Sequence, residues 1–145
     1  MAKEFSLVSD PNPTVYQLVT IASQAYQVGD LVQLSRTAAD VTPATSSTIC
    51  ANVFGVAMSA QASTDTQMLV ALATDQQTWQ ADNTNTPNVA HNFQRMVLTD
   101  KGTVNNTGTD STSSAAVWTQ TGLALGPGGT GSRTSGKFNV GRSQS

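Results

Sequence analysis

Apolar and polar residues alternate along most of this chain with a period of two, the spacing of a strand with one buried face. In Val15-Tyr16-Gln17-Leu18-Val19-Thr20-Ile21, the odd-numbered residues share one side, which predicts a strand. Ala25-Tyr26-Gln27-Val28 and Leu31-Val32-Gln33-Leu34 flank Gly29-Asp30, and a glycine there predicts a tight turn between two short strands. Residues 35–48 are polar and carry Pro43, so they read as a loop with a short strand near Val41. Ile49 to Met58 is mostly apolar with Gly55 inside it; a glycine within a strand marks a bulge or a close backbone approach. A polar turn at 59–66 leads to an apolar run over Gln67–Ala73, and Thr78-Trp79-Gln80-Ala81 adds a short strand before a loop at 82–87.

The second half of the chain is harder to read. Val89, Phe93, Met96 and Val97 fit a helical spacing, with Thr86 to cap it and Gly102 beyond its end. Phe93, Arg95, Val97 and Thr99 fit one face of a strand equally well, and the surrounding composition favours the strand. Residues 100–114 predict a long exposed loop, and Ala115–Thr119 one more strand. From Gly122 onward seven of the eleven glycines occur in 24 residues, a composition that loses much entropy on ordering. Lys137-Phe138-Asn139-Val140 restores strand spacing near the end, so this segment is either a closing strand or an arm. At the other end, Pro11 and Pro13 disfavour helix, and the first residues read as an extended arm. The expected architecture is all-β: a small barrel or sandwich over 14–121, an N-terminal arm over 1–13 and a Gly-rich segment over 122–145.

Composition agrees with that class. Thr, Ser, Gln and Asn number 21, 15, 12 and 9, whereas Glu4 is the single glutamate beside eight aspartates. Thr suits pleated strands, and Asn, Asp, Ser and Gly suit turns. A net charge of −2 with seven scattered Lys and Arg provides no basic patch, so nucleic acid is not an expected partner. No apolar run approaches the ~20 residues of a membrane span, and the first ten residues carry no signal-peptide stretch.

Candidate chemistry is thin. Cys50 is the single cysteine, which rules out an internal disulfide and favours a small buried hydrophobe. His91 is the single histidine, and no Gly-x-Ser-x-Gly elbow accompanies it, so a hydrolase centred there is a minor alternative. Asp82-Asn83-Thr84-Asn85 lacks the twelve-residue spacing and final Glu of a calcium loop. Gly126–Ser132 lacks the Gly-Lys-Ser/Thr of a phosphate loop. Trp79 and Trp118 could stack on a sugar, but large aromatics in a small β-protein more often fill the core. No enzyme, cofactor or metal is expected.

One stretch is familiar. Ala25 to Leu34 with its Gly-Asp-Leu-Val turn, then Val53-Phe54-Gly55-Val56-Ala57 and a strand at Gln67–Ala73, resembles the small β-barrel capsid decoration (cement) proteins of tailed bacteriophages. The resemblance covers residues 15–75. It departs at Thr64-Asp65-Thr66, where the family often carries a glycine, and this leaves the register of that hairpin open. The resemblance implies a structural protein made in the host cytoplasm and placed on the capsid exterior of the virion. Its partners would be the major capsid protein and other copies of itself, a homotrimer being favoured. The isolated hydrophobes Phe5, Leu7, Phe138 and Val140 in otherwise polar ends are the expected capsid contacts. Deleting residues 1–12 or 122–145 is then expected to weaken binding and leave the core folded. The alternative is a receptor- or glycan-binding module of a phage fibre or tail, using Trp79, Trp118 and the Asn/Thr loops.

Overall fold

The computed structural model describes residues 4–35, 40–107, 110–124 and 133–140. Its regular structure is almost entirely strand, arranged as two sheets packed as a sandwich. The seven-stranded sheet contains β1 (Phe5–Ser9), β7 (Thr78–Asn83), β8 (Arg95–Met96), β9 (Leu98–Asp100), β10 (Thr103–Val104), β11 (Trp118–Ala124) and β12 (Arg133–Phe138). The five-stranded sheet contains β2 (Tyr16–Thr20), β3 (Leu31–Leu34), β4 (Val41–Pro43), β5 (Val53–Ala57) and β6 (Gln67–Leu72).

In the larger sheet the order runs β8-β11-β12-β7. The far edge of β7 is shared end to end, by β1 along Thr78–Ala81 and by β10 at Asp82–Asn83, with β9 beside β10. Alternation explains this placement, since every second side chain of β7 and β12 is buried. The inward residues build a cluster in which Phe5, Trp79, Trp118 and Phe138 meet with ring centroids 5.0–5.7 Å apart at tilted or edge angles, geometries favoured by the ring quadrupoles. Gly136 makes room for it, because a methyl there would stand 2.5 Å from the Trp118 ring.

The smaller sheet runs β2-β6-β5-β3-β4, antiparallel throughout. Leu31, Val56 and Ala71 face the aromatic cluster, while Val32, Ala57, Met68 and Val70 face a second core with Ile21, Tyr26 and Val41. Residues on both faces of β3, β5 and β6 are buried, and the sheet curls until Ile21, just beyond β2, bridges Val41 at the start of β4. The open hairpin register is settled by Gly55↔Leu72, Val56↔Ala71 and Ala57↔Val70. Gly55 is the close approach that its position in a strand predicts, since a side chain there would overlap the Ala71 carbonyl and Val70.

Several expectations change. Residues 5–9 form strand β1 within the sheet, because the Phe5 side chain belongs to the central cluster. Of the two readings for the C-terminal segment, residues 133–138 take the closing strand, paired on both sides with β11 and β7; residues 125–132 and 141–145 lie outside the described residues. The loop expected over 100–114 contributes buried Thr103 and Val104 as β10. The strand expected over Phe93–Thr99 divides into β8 and β9 after a short 3-10 turn at Val89–His91.

Candidate interaction surface

The Gly-Asp-Leu-Val turn is a structural junction. Gly29 holds φ at +92°, a conformation that costs glycine little, and its N–H and the Asp30 carbonyl both bond to Ala57 at 2.9 and 2.8 Å. The Gly29 carbonyl accepts the Phe5 N–H at 2.9 Å, and the Leu31 N–H donates to the Lys101 carbonyl at 2.8 Å. The buried Asp30 carboxylate accepts the Gln27 N–H at 2.9 Å and meets the Lys101 ammonium at 3.0 Å. The motif therefore stitches β1, β5 and the β9–β10 turn together; of the three charged residues lining the neighbouring hollow of about 490 Å³, Asp30 and Lys101 pair with each other and Asp100 accepts the Gly102 N–H.

The residues singled out in the sequence are mostly internal. Phe5, Phe138 and Val140 are buried in the first core and Leu7 is half-buried against it, so these four are not free contacts in this fold. They looked isolated only because their neighbours in the core come from distant parts of the chain. Trp79 and Trp118 are fully buried, which removes both as sugar platforms. Cys50 is half-buried with its thiol 3.4 Å from the Ala116 carbonyl. Asp82 accepts from Arg133 at 2.8 Å and from the Glu4 N–H at 2.9 Å, tying β7 to β12 and the N-terminus. The Nδ1 of His91 is enclosed without a hydrogen-bond partner, whereas the Nδ1 of a hydrolytic triad's histidine donates to a carboxylate. Among the described residues no group of three or more His, Cys, Asp or Glu is placed to hold a metal.

Outward chemistry collects at two other places. The first is the turn before β8. Asn88 caps it, its Oδ1 accepting the Ala90 N–H at 2.9 Å. Buried Gln120 of β11 grips it from below. Its carbonyl accepts the Phe93 N–H at 2.6 Å, and its N–H donates to the Gln94 carbonyl at 3.3 Å. Its Nε2 donates to the Asn88 carbonyl at 3.0 Å and to Asn92 Oδ1 at 2.8 Å. These bonds on both sides of Phe93 hold it at φ 69°, the left-handed region, which a bulky side chain rarely enters. The ring is nonetheless 76% exposed, with Val89 of the same turn 62% exposed. Sequence alternation placed Phe93 on a strand face, and nothing local distinguishes it from a core aromatic.

The second place is β2. Tyr16 and Leu18 are 53% and 59% exposed, and Leu69, directly across from Leu18 on β6, is 40% exposed. Val19 and Ile21 turn to the second core. This signal was legible, because the strand carries large apolar residues on both faces.

No protein-family model matches the chain, and a search of curated proteins finds no match. No helix among the described residues is long and apolar enough to cross a membrane.

Proposed function

We propose that this chain is a non-enzymatic capsid decoration protein that binds the outside of an assembled phage head and braces it. The major capsid protein is its partner, and several copies act together, three being the favoured number. The observation that carries the reading is Phe93, an aromatic ring held out to solvent on a strained backbone. Backbone strain persists where surrounding structure over-determines it, and it concentrates at ligand clamps and functional sites. Phe93 with Val89 forms an apolar knob suited to a pocket on a neighbouring protein, and exposed aromatics are frequent anchors of such contacts. This replaces Phe5, Leu7, Phe138 and Val140 as the proposed contact. Few charges and abundant Thr, Ser and Asn suit a surface whose output is adhesion, and repetition over a lattice multiplies individually weak contacts.

The test is co-sedimentation with phage heads that lack the protein. Saturable binding is expected from the intact chain, with strong weakening by Phe93→Gly and unchanged circular dichroism. Binding that is indifferent to Phe93→Gly would discard the knob. Absence of head binding together with recognition of a glycan by the isolated protein would favour the receptor-module reading instead.

A further inference from the structure

We infer that the hollow behind the Gly-Asp-Leu-Val turn binds a neutral polyhydroxylated ligand, the hydroxyl-bearing edge of a saccharide. At about 490 Å³ it has the size of a small-molecule site. Three chain segments line it, around 27–30, 44–46 and 99–103, and Leu31 ties them together. The Leu31 N–H donates to the Lys101 carbonyl at 2.8 Å, and the Leu31 carbonyl accepts the Ala44 N–H at 2.9 Å. The rim has bonds of its own. The Thr45 N–H donates to Thr48 Oγ1 at 2.8 Å, and the Gly102 N–H to Asp100 Oδ1 at 2.9 Å. Asp30, Ala44 and Thr103 are buried and form the floor, whereas Gln27, Ser46 and Asp100 are exposed at the rim. A ligand therefore enters a hollow that the fold has already ordered, and spends little of its binding energy on arranging it.

The floor holds hydrogen-bonding capacity that the protein does not use. The Gln27 N–H and the Lys101 ammonium both fall on Oδ2 of the buried Asp30, and among the described residues no donor meets its Oδ1. Thr103 Oγ1 is enclosed and likewise without a partner. The Lys101 ammonium keeps donors beyond the one that meets Asp30. These groups select the chemistry of the ligand. Two carboxylates stand against one ammonium in the lining, which disfavours an anion. A metal ion would compete with Lys101 Nζ, already 3.0 Å from Asp30 Oδ2. An apolar ligand would shut Asp30 Oδ1 and Thr103 Oγ1 away from water unpaired, which is costly. A hydroxyl both donates and accepts. In a vicinal diol, one hydroxyl can donate to Asp30 Oδ1 while its neighbour accepts from Lys101, with the Thr103 and Ser46 hydroxyls pairing the next oxygens. Ala44 offers the floor an apolar patch for the C–H face of a sugar ring. The inference goes beyond the decoration reading and fails separately from it, because it concerns the isolated protein and leaves Phe93 untouched.

The test titrates the isotope-labelled full chain with glucose, galactose, mannose and myo-inositol, and with inorganic phosphate and calcium as controls, following backbone amide shifts by NMR. At least one of the four polyols is expected to shift the amides of Ser46, Lys101, Gly102 and Thr103 saturably, with a Kd on the order of 1 mM. Ser46→Trp, an exposed change that fills the hollow, should abolish the shifts and leave the circular dichroism unchanged. Lys101→Gln should weaken binding at least about tenfold, the usual effect of losing a charged hydrogen-bond partner. Thr103→Val keeps the shape and removes the enclosed hydroxyl, so it should weaken binding several-fold with an unchanged or higher melting temperature; it serves alone if Lys101→Gln fails to fold. No saturable shift with any polyol, shifts that survive Ser46→Trp, or shifts with phosphate or calcium alone would each overturn the inference. Saturable polyol binding by a chain that does not sediment with heads would support it and retire the decoration reading.

Discussion

Phe93 shows how a single residue can trade stability for function. A non-glycine side chain in the left-handed region costs roughly 1–2 kcal/mol, and the ring recovers little of it while 76% exposed. Phe93→Gly removes that strain but adds backbone entropy to the unfolded chain, so its melting temperature is expected to equal or exceed the parent's while head binding falls. A fall in stability of more than about 1 kcal/mol would mean that the ring packs against the fold rather than projecting from it. Asp10 offers a second test at this scale. Its carboxylate accepts from Gln77 Nε2 at 3.0 Å, from the Asn12 N–H at 3.0 Å and from Thr14 Oγ1 at 3.0 Å. The Gln77 bond foremost holds its pKa below the ordinary value. A lowered native pKa gives stability that is present above the ordinary carboxylate range and lost as pH falls through the native value. Asp10→Asn should therefore melt lower than the parent near neutrality, with the gap closing in acid. A gap that stays constant with pH would show that the charge is not what matters.

At the scale of elements, two glycines decide whether strands can approach. Gly55 of β5 lies against the Ala71 carbonyl and Val70, and Gly136 of β12 lies against the Thr119 carbonyl and the Trp118 ring. Both alanine variants should lose about 1–3 kcal/mol in urea titration, the usual cost of overpacking a core. Gly122→Ala, where a methyl would meet nothing within 4 Å, should change stability by no more than a few tenths. Equal effects at all three positions would refute the steric account. The value of Gly55 was legible as a glycine inside an apolar strand. That of Gly136 was not, since it sits in a glycine-rich segment and only the Trp118 ring above it gives it meaning.

Across the whole molecule, the first and last described strands, β1 and β12, are structural. β1 and β12 flank β7 on opposite sides and supply two of the four rings in the aromatic cluster. Truncating a buried Phe alone costs ~3–5 kcal/mol, a large share of the ~5–15 kcal/mol of a typical domain. Removing residues 1–9 or 133–145 should abolish the cooperative thermal transition, contrary to the expectation that deleting residues 1–12 or 122–145 leaves the core folded. A truncated chain that still melts cooperatively near the parent's temperature would show that the remaining strands close without them.

The sequence by itself determined the all-β class, most strands up to Ala81 and the turn at Gly29, because alternation and glycine chemistry act between near neighbours. Only the tertiary structure decided which apolar residues face outward. Burial depends on strands far apart in the chain arriving over the same spot, as Phe5, Trp79, Trp118 and Phe138 do. The same holds for Phe93, whose exposure and strained backbone come from Gln120, 27 residues further along the chain, a distance over which no local pattern carries information.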